Sequence, residues 1–89
     1  MIKTPATISN RLGLHARASA KLTKLAGSFP CEVWMWRGER RVNAKSIMGV
    51  MMLAAGMGVT VEIETDGERE QEAMDALQAL LADKFGEGE

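Results

Sequence analysis

The sequence has no tyrosine, and its 89 residues include only two phenylalanines, two tryptophans, one cysteine and one histidine. With Cys31 alone, an internal disulfide is excluded and no paired-cysteine metal motif exists. Neither charge is in excess: 11 Lys and Arg stand against 12 Asp and Glu, a net charge of −1, so no overall basic field draws nucleic acid. Long apolar runs are missing too. The most apolar stretch, from Ile47 to Ala55, falls far short of the ~20 residues a membrane-spanning helix needs. The opening MIKTPATISN has no apolar segment of the kind a secretory signal requires. These absences predict a cytoplasmic location and no membrane insertion. Repeats and low-complexity segments are also lacking.

What is present is the composition of a folded domain, 46% apolar and 26% charged. The length predicts a single domain, residues 1–89, with room for one modest core. So small a chain has no volume for a deep multi-substrate site. Its chemistry should lie on the surface, with a partner completing it.

Residues 2–8 alternate weakly and read as a strand, with Pro5 favouring an edge because it lacks a donor. A loop, SNRLGLH, precedes a helix from about Ala16 to Ala26, with Ala18, Leu22 and Leu25 on one stripe and Gly27 at its end. The opposite side carries Ala16, Ala20, Thr23 and Lys24. Residues 31–36 alternate Cys31, Val33 and Met35 against Glu32, Trp34 and Trp36, and Arg37-Gly38-Glu39 turns into a strand from Arg40 to Ala44. Alternation does not say which face is buried; volume alone favours the tryptophans.

Ser46 is placed to cap a short helix, IMGVMMLAA, ended by Gly56. At about 100° per residue, Val50 and Leu53 share one side, and Ile47, Met48, Met51 and Met52 lie toward the other. Val59 to Thr65 is the clearest strand, and a last helix is expected from about Arg69 to Phe85. The tail Gly86–Glu89 should be frayed. The order strand, helix, strand, strand, helix, strand, helix makes this an α+β chain: one sheet with helices on one face.

His15 follows a glycine-containing loop and precedes a helix. Free backbone N–H groups and the helix dipole favour an anion there, and Arg17 can bond phosphate oxygens. His15 can be a nucleophile at the centre of an anion site, or simply a surface or capping histidine. Ser46 is a cap whatever else it does. The methionines fill a core, form a docking patch for several partners, or, with Cys31 and His15, bind a soft metal; no compact ligand motif supports the last.

Two runs carry a family resemblance. Gly13-Leu14-His15-Ala16-Arg17-Ala18-Ser19 and Asn43-Ala44-Lys45-Ser46-Ile47-Met48-Gly49-Val50-Met51, in a chain with this order of elements, resemble the histidine phosphocarrier (HPr) family, with its nitrogen-branch relative NPr, of the bacterial phosphoenolpyruvate-dependent phosphotransferase system. The resemblance spans nearly the whole chain. It implies an open-faced sandwich, a four-stranded antiparallel sheet in the order 1-4-2-3 with three helices on one face, Val33 and Met35 toward the helices and Trp34 and Trp36 on the open face. It implies phosphorylation of His15 at Nδ1 by enzyme I, donation to enzyme IIA-type proteins, and no enzyme activity, cofactor or metal of its own. Arg17 and the amides of Ala16 and Arg17 would hold the phosphate. Ala20, Lys24, Ile47, Met48, Met51 and Met52 would dock the partners, and Ser46 matches the serine modified by HPr kinase/phosphorylase. The chain departs from the family at Ala18, where proline is usual; alanine keeps the helix. A monomer is the simplest carrier.

Three rivals are distinguishable. A regulatory binding protein would use the His15/Met48 surface and survive His15→Ala. A metal chaperone would retain copper. A single-strand nucleic-acid binder using Trp34 and Trp36 with Arg37, Arg40 and Arg41 would show salt-dependent binding.

Overall fold

The structure is a computed structural model and describes residues 1–87. Among these, the elements run β1 (Ile2–Thr7), α1 (Ala16–Gly27), β2 (Glu32–Arg37), β3 (Arg40–Asn43), α2 (Ile47–Met52), β4 (Thr60–Asp66) and α3 (Glu70–Ala82), followed by a 3-10 turn at Lys84–Gly86. The strands form one antiparallel sheet in the order β1-β4-β2-β3. This is the expected open-faced sandwich. Pro5 lies on the edge strand β1, opposite Glu62, where a missing N–H is tolerated.

The pleat decides what the helices cover. Val33 and Met35 on β2 and Val61 and Ile63 on β4 are at most 1% exposed, with Met35 paired to Ile63. Successive side chains alternate faces, so burying these four puts Trp34 and Trp36 on the open face. Volume loses to register. The open face still gives the indoles partners. The Arg41 guanidinium lies 3.7 Å from the Trp34 ring centroid, and Lys3 Nζ lies 4.0 Å from that of Trp36. Trp36 Nε1 donates to Glu64 Oε1 at 2.7 Å. The cations beside the tryptophans are therefore engaged by them.

Helix α1 buries a wider stripe than expected. Ala18, Leu22 and Ala26 are fully covered, whereas Leu25 is only partly so. Thr23, assigned by spacing to the open side, is buried instead. Its hydroxyl donates to the Ala20 carbonyl at 3.1 Å, which removes the cost of covering it.

Helix α2 stops at Met52, short of Ala55, because Ala54 turns left-handed at φ 52°. Two arginines of the β2–β3 hairpin satisfy the carbonyls this exposes. Arg37 Nη1 donates to Leu53 O and Ala54 O, both at 2.9 Å, and Arg40 Nη1 donates to Met52 O at 2.7 Å. Beneath, Val50 and Leu53 are buried as expected.

Helix α3 also ends early, at Ala82 and not at Phe85. Lys84, Phe85 and Gly86 all take positive φ, at 54°, 56° and 76°. This turns the Phe85 ring into the core, and Lys21 Nζ donates to the Phe85 carbonyl at 2.6 Å. The chain is thereby sent back across the start of α1.

Candidate functional site

The loop before α1 is built around Asn10 and Gly13. Gly13 N–H donates to Asn10 O at 3.2 Å, and Asn10 Nδ2 donates to Gly13 O at 2.8 Å. At φ 66°, Gly13 passes so close to the next loop that a Cβ would sit 2.5 Å from Ala55 O and 2.7 Å from Gly56 Cα; only glycine fits. Leu14 N–H donates to Ala55 O at 2.9 Å, and Ser19 Oγ donates to Leu14 O at 3.1 Å. These bonds deliver His15 to the head of α1 as its N-cap residue, with extended backbone.

Both edges of the imidazole are engaged. Nδ1 accepts from Arg17 N–H at 3.1 Å, and Nε2 lies 2.6 Å from Glu87 Oε2. Glu87 Oε1 accepts from Asn10 Nδ2 at 3.0 Å. An amide N–H can only donate and a carboxylate can only accept. The neutral ring therefore carries its proton on Nε2 and an unprotonated lone pair on Nδ1, which the Arg17 amide meets. The Asn10 amide beside Glu87 holds its carboxyl below the usual carboxylate range, against burial, with further help from His15 and Lys21. Asn10 itself is fully buried, and its Oδ1 has no partner among the described residues. Its orientation is set by the two acceptors facing Nδ2.

A cleft of about 600 Å³ opens here, lined by Arg11, Leu12, His15, Arg17, Gly86 and Glu87. The His15 side chain is 26% exposed and that of Glu87 15%. Arg17 is exposed and, among the described residues, its guanidinium has no ion pair or hydrogen bond. An unprotonated ring nitrogen, helix-start amides and an available guanidinium at one opening can receive an anion and form a bond to it.

Of the residues singled out from the sequence, His15 and Arg17 line this opening, and Ala16 lies between them as the first residue of α1. Ala20 is exposed one turn along α1, and Lys24 lies further on, in a shallow hollow with Lys21, Leu25, Ser28 and Leu80 of α3. Helix α2 packs beside α1 and exposes Ile47 (45%), Met48 (70%), Met51 (39%) and Met52 (60%). Ser46 caps α2, its Oγ accepting from Gly49 N–H at 3.1 Å. Cys31 is buried in the core, and among the described residues no three His, Cys, Asp or Glu side chains are grouped to hold a metal. No helix of the described residues is long and apolar enough to cross a membrane.

Sequence reasoning missed Asn10 and Glu87. Gly86 and Glu87 were expected to fray; they are instead held by the 3-10 turn and by the bonds to Asn10 and His15. Gly88 and Glu89 lie outside the described residues. The available signal was Phe85, a large apolar residue followed directly by glycine, where a chain leaving a helix can turn left-handed and pack its ring.

A family model described as the PTS HPr component phosphorylation site matches residues 2–83. The chain is 68% identical over 89 residues to the phosphocarrier protein HPr of Cupriavidus necator, covering all of both chains. It is 56% identical over 89 residues to that of Neisseria meningitidis serogroup A, again over all of both. Among solved structures, HPr-C-His from Thermoanaerobacter tengcongensis is similar with a TM-score of 0.94 and 40% identity, over 98% of each chain.

Proposed function

Because the chain belongs to the HPr family, phosphocarriers of the phosphotransferase system and not enzymes, we propose that it takes a phosphoryl group on His15 Nδ1 from enzyme I and passes it to enzyme IIA-type proteins. The observation that supports His15 most directly is how its ring is held: Nε2 faces a carboxylate, and Nδ1 accepts an amide hydrogen bond at an open helix start. Arg17 N–H, which now meets Nδ1, is placed to pass to a phosphate oxygen once Nδ1 is bonded to phosphorus. The Ala16 amide and the Arg17 guanidinium complete the hold. Phosphoryl transfer needs positioning and charge stabilisation more than covalent machinery, so a partner can supply the rest.

The partners dock around this opening, on Ala20 and Lys24 of α1 and on Ile47, Met48, Met51 and Met52 of α2. Exposed methionines on a short helix suit a surface that must fit several proteins in turn. The contacts are small and transient, and the carrier works as a monomeric unit spanning residues 1–89. Ser46 is a regulatory position for HPr kinase/phosphorylase. Its oxygen sits at a helix start beside the methionines, so a phosphate there adds negative charge to the docking face while the cap persists.

The test is phosphorus NMR of the chain with enzyme I, magnesium and phosphoenolpyruvate, alongside His15→Ala. An acid-labile phosphohistidine signal in the wild type alone is the expected result. Its absence with an active enzyme I refutes the carrier role at His15. Ser46 is tested separately with the kinase, Ser46→Ala being the expected blank.

A further inference from the structure

The tail carboxylate is too well placed to be incidental. Glu87 Oε2 lies 2.6 Å from His15 Nε2, and the buried Asn10 amide, fixed in turn on Gly13 O, orients the carboxylate through Oε1 at 3.0 Å. Getting Glu87 there requires two non-glycine residues, Lys84 and Phe85, to adopt left-handed backbone. Such strain persists only where surrounding contacts over-determine it. Here those contacts are the Phe85 ring in the core and Lys21 Nζ on the Phe85 carbonyl.

We propose that Glu87 is a positioning residue for phosphoryl transfer: oriented by Asn10, it keeps the proton of His15 on Nε2 and supplies the counter-charge for the ring when Nδ1 carries phosphate. This rests on the carrier reading. In the forward step the Nδ1 lone pair forms the new bond to phosphorus while the donor's bond to phosphorus breaks, and that bond's electron pair leaves with the donor. His15 keeps its Nε2 proton, so the phosphorylated ring is an imidazolium. Glu87 is the anion against it; of the other charged groups lining the cleft, Arg17 serves the phosphate, Arg11 has contacts of its own, and Lys21 lies on the Glu87 side. In the donation step a lone pair of the acceptor protein's nucleophile forms the new bond to phosphorus while the P–Nδ1 bond breaks, its electron pair going back to the ring. The leaving group is then a neutral imidazole, already in the tautomer needed for the next turn.

The amide of Glu87→Gln distinguishes this role from packing. The change is isosteric, but Asn10 Nδ2 would hold the amide oxygen and turn the NH2 group toward Nε2. That arrangement asks Nε2 to accept and moves the proton to Nδ1, where it opposes the Arg17 amide. Nitrogen-15 NMR of the His15 ring in the full chain, wild type against Glu87→Gln and Glu87→Ala, reads the tautomer directly. The wild type should be almost wholly Nε2–H, Glu87→Gln should shift toward Nδ1–H, and Glu87→Ala should lie between. The rate of phosphorylation by enzyme I should fall roughly tenfold in Glu87→Gln, as when other partners that orient an imidazole are lost, and less in Glu87→Ala. An unchanged Gly49 amide signal confirms that the fold is intact. The same tautomer in all three proteins, or a shifted tautomer with an unchanged rate, overturns the assignment. If the wild type itself takes no phosphate from an active enzyme I, the carrier reading falls, and the unphosphorylated tautomer populations alone still decide whether Glu87 positions the ring.

Discussion

Helices α1 and α2 begin in the same way and are held there by different means. Each is capped by a residue with extended backbone whose side chain accepts an amide from the first turn: His15 Nδ1 from Arg17 N–H and Ser46 Oγ from Gly49 N–H, both at 3.1 Å. Serine is a favoured cap and histidine is not. A hydroxyl both donates and accepts and rotates to suit its surroundings, so Ser46 needs only its own turn. An imidazole has two nitrogens and one proton to share. To accept at Nδ1 it must be satisfied at Nε2, and here Glu87 does that from 72 residues away. The serine cap is a local device. The histidine cap depends on the closure of a loop and a tail.

The comparison is broken most severely at Gly13. Gly13→Ala places a methyl group against Ala55 O and Gly56 Cα at a positive φ, so it should cost about 2–4 kcal/mol. Urea denaturation measures the loss, and phosphate acceptance by His15 should fall with it. Exchange of the Gly49 amide should stay close to wild type whenever the chain is folded, since the α2 cap does not share that loop. The complementary cut is Ser46→Ala, which should lower stability by about 1 kcal/mol with an unchanged rate of His15 phosphorylation. Equal damage to the rate would mean that the two caps are coupled.

A third change sharpens the contrast at the far end of α2. Ala54 is left-handed and is held by the two Arg37 bonds to Leu53 O and Ala54 O. Ala54→Gly relieves roughly 1–2 kcal/mol of backbone strain and gives back ~0.5–1 kcal/mol in unfolded-chain entropy. A net gain of about 0.5–1 kcal/mol should appear in urea denaturation. The same change should soften the loss in Arg37→Ala, because glycine does not need the clamp.

The same division explains what was legible in the sequence. Alternation on β2 and β4, the Ser46 cap, and the inward Val50 and Leu53 against the outward Ile47, Met48, Met51 and Met52 are local, period-bound features, and each was readable. The strand order came from the family resemblance, since periodicity does not specify which strands pair. Where reading fell short, the competing force came from elsewhere in the chain. Thr23 is buried because Ala20 O satisfies its hydroxyl. Helix α2 stops at Met52 where Ala54 turns left-handed, a turn that hairpin arginines from elsewhere in the chain stabilise by serving the exposed carbonyls. Phe85, expected to end the last helix, instead turns into a place in the core that tertiary packing defines. Asn10 and Glu87 were invisible for the same reason: 77 residues separate them, and neither carries a periodic or motif signal.

The smallest expected effect on stability is the most selective between the two caps. Hydrogen bonds from Asn10 and His15 depress the pKa of Glu87 in the closed tail relative to a free carboxylate. A group whose folded pKa is depressed contributes stability above its unfolded pKa and loses it as pH falls through the folded one. Closure of the tail should therefore be complete above the ordinary carboxylate range, then weaken below it as Glu87 protonates. Hydrogen exchange at the Gly86 and Glu87 amides, which donate to Asp83 O and Lys84 O, follows tail opening. The Asn10 side-chain amide shifts follow the carboxylate itself. Both should titrate together in the acid range, after correction for intrinsic exchange, while the Gly49 amide under Ser46 stays level because no ionisable group takes part in that cap. A carboxylate that titrates at the ordinary value, with Asn10 signals flat across it, would mean that the tail does not rest on His15 in solution; the contrast between the two caps would then reduce to residue type alone.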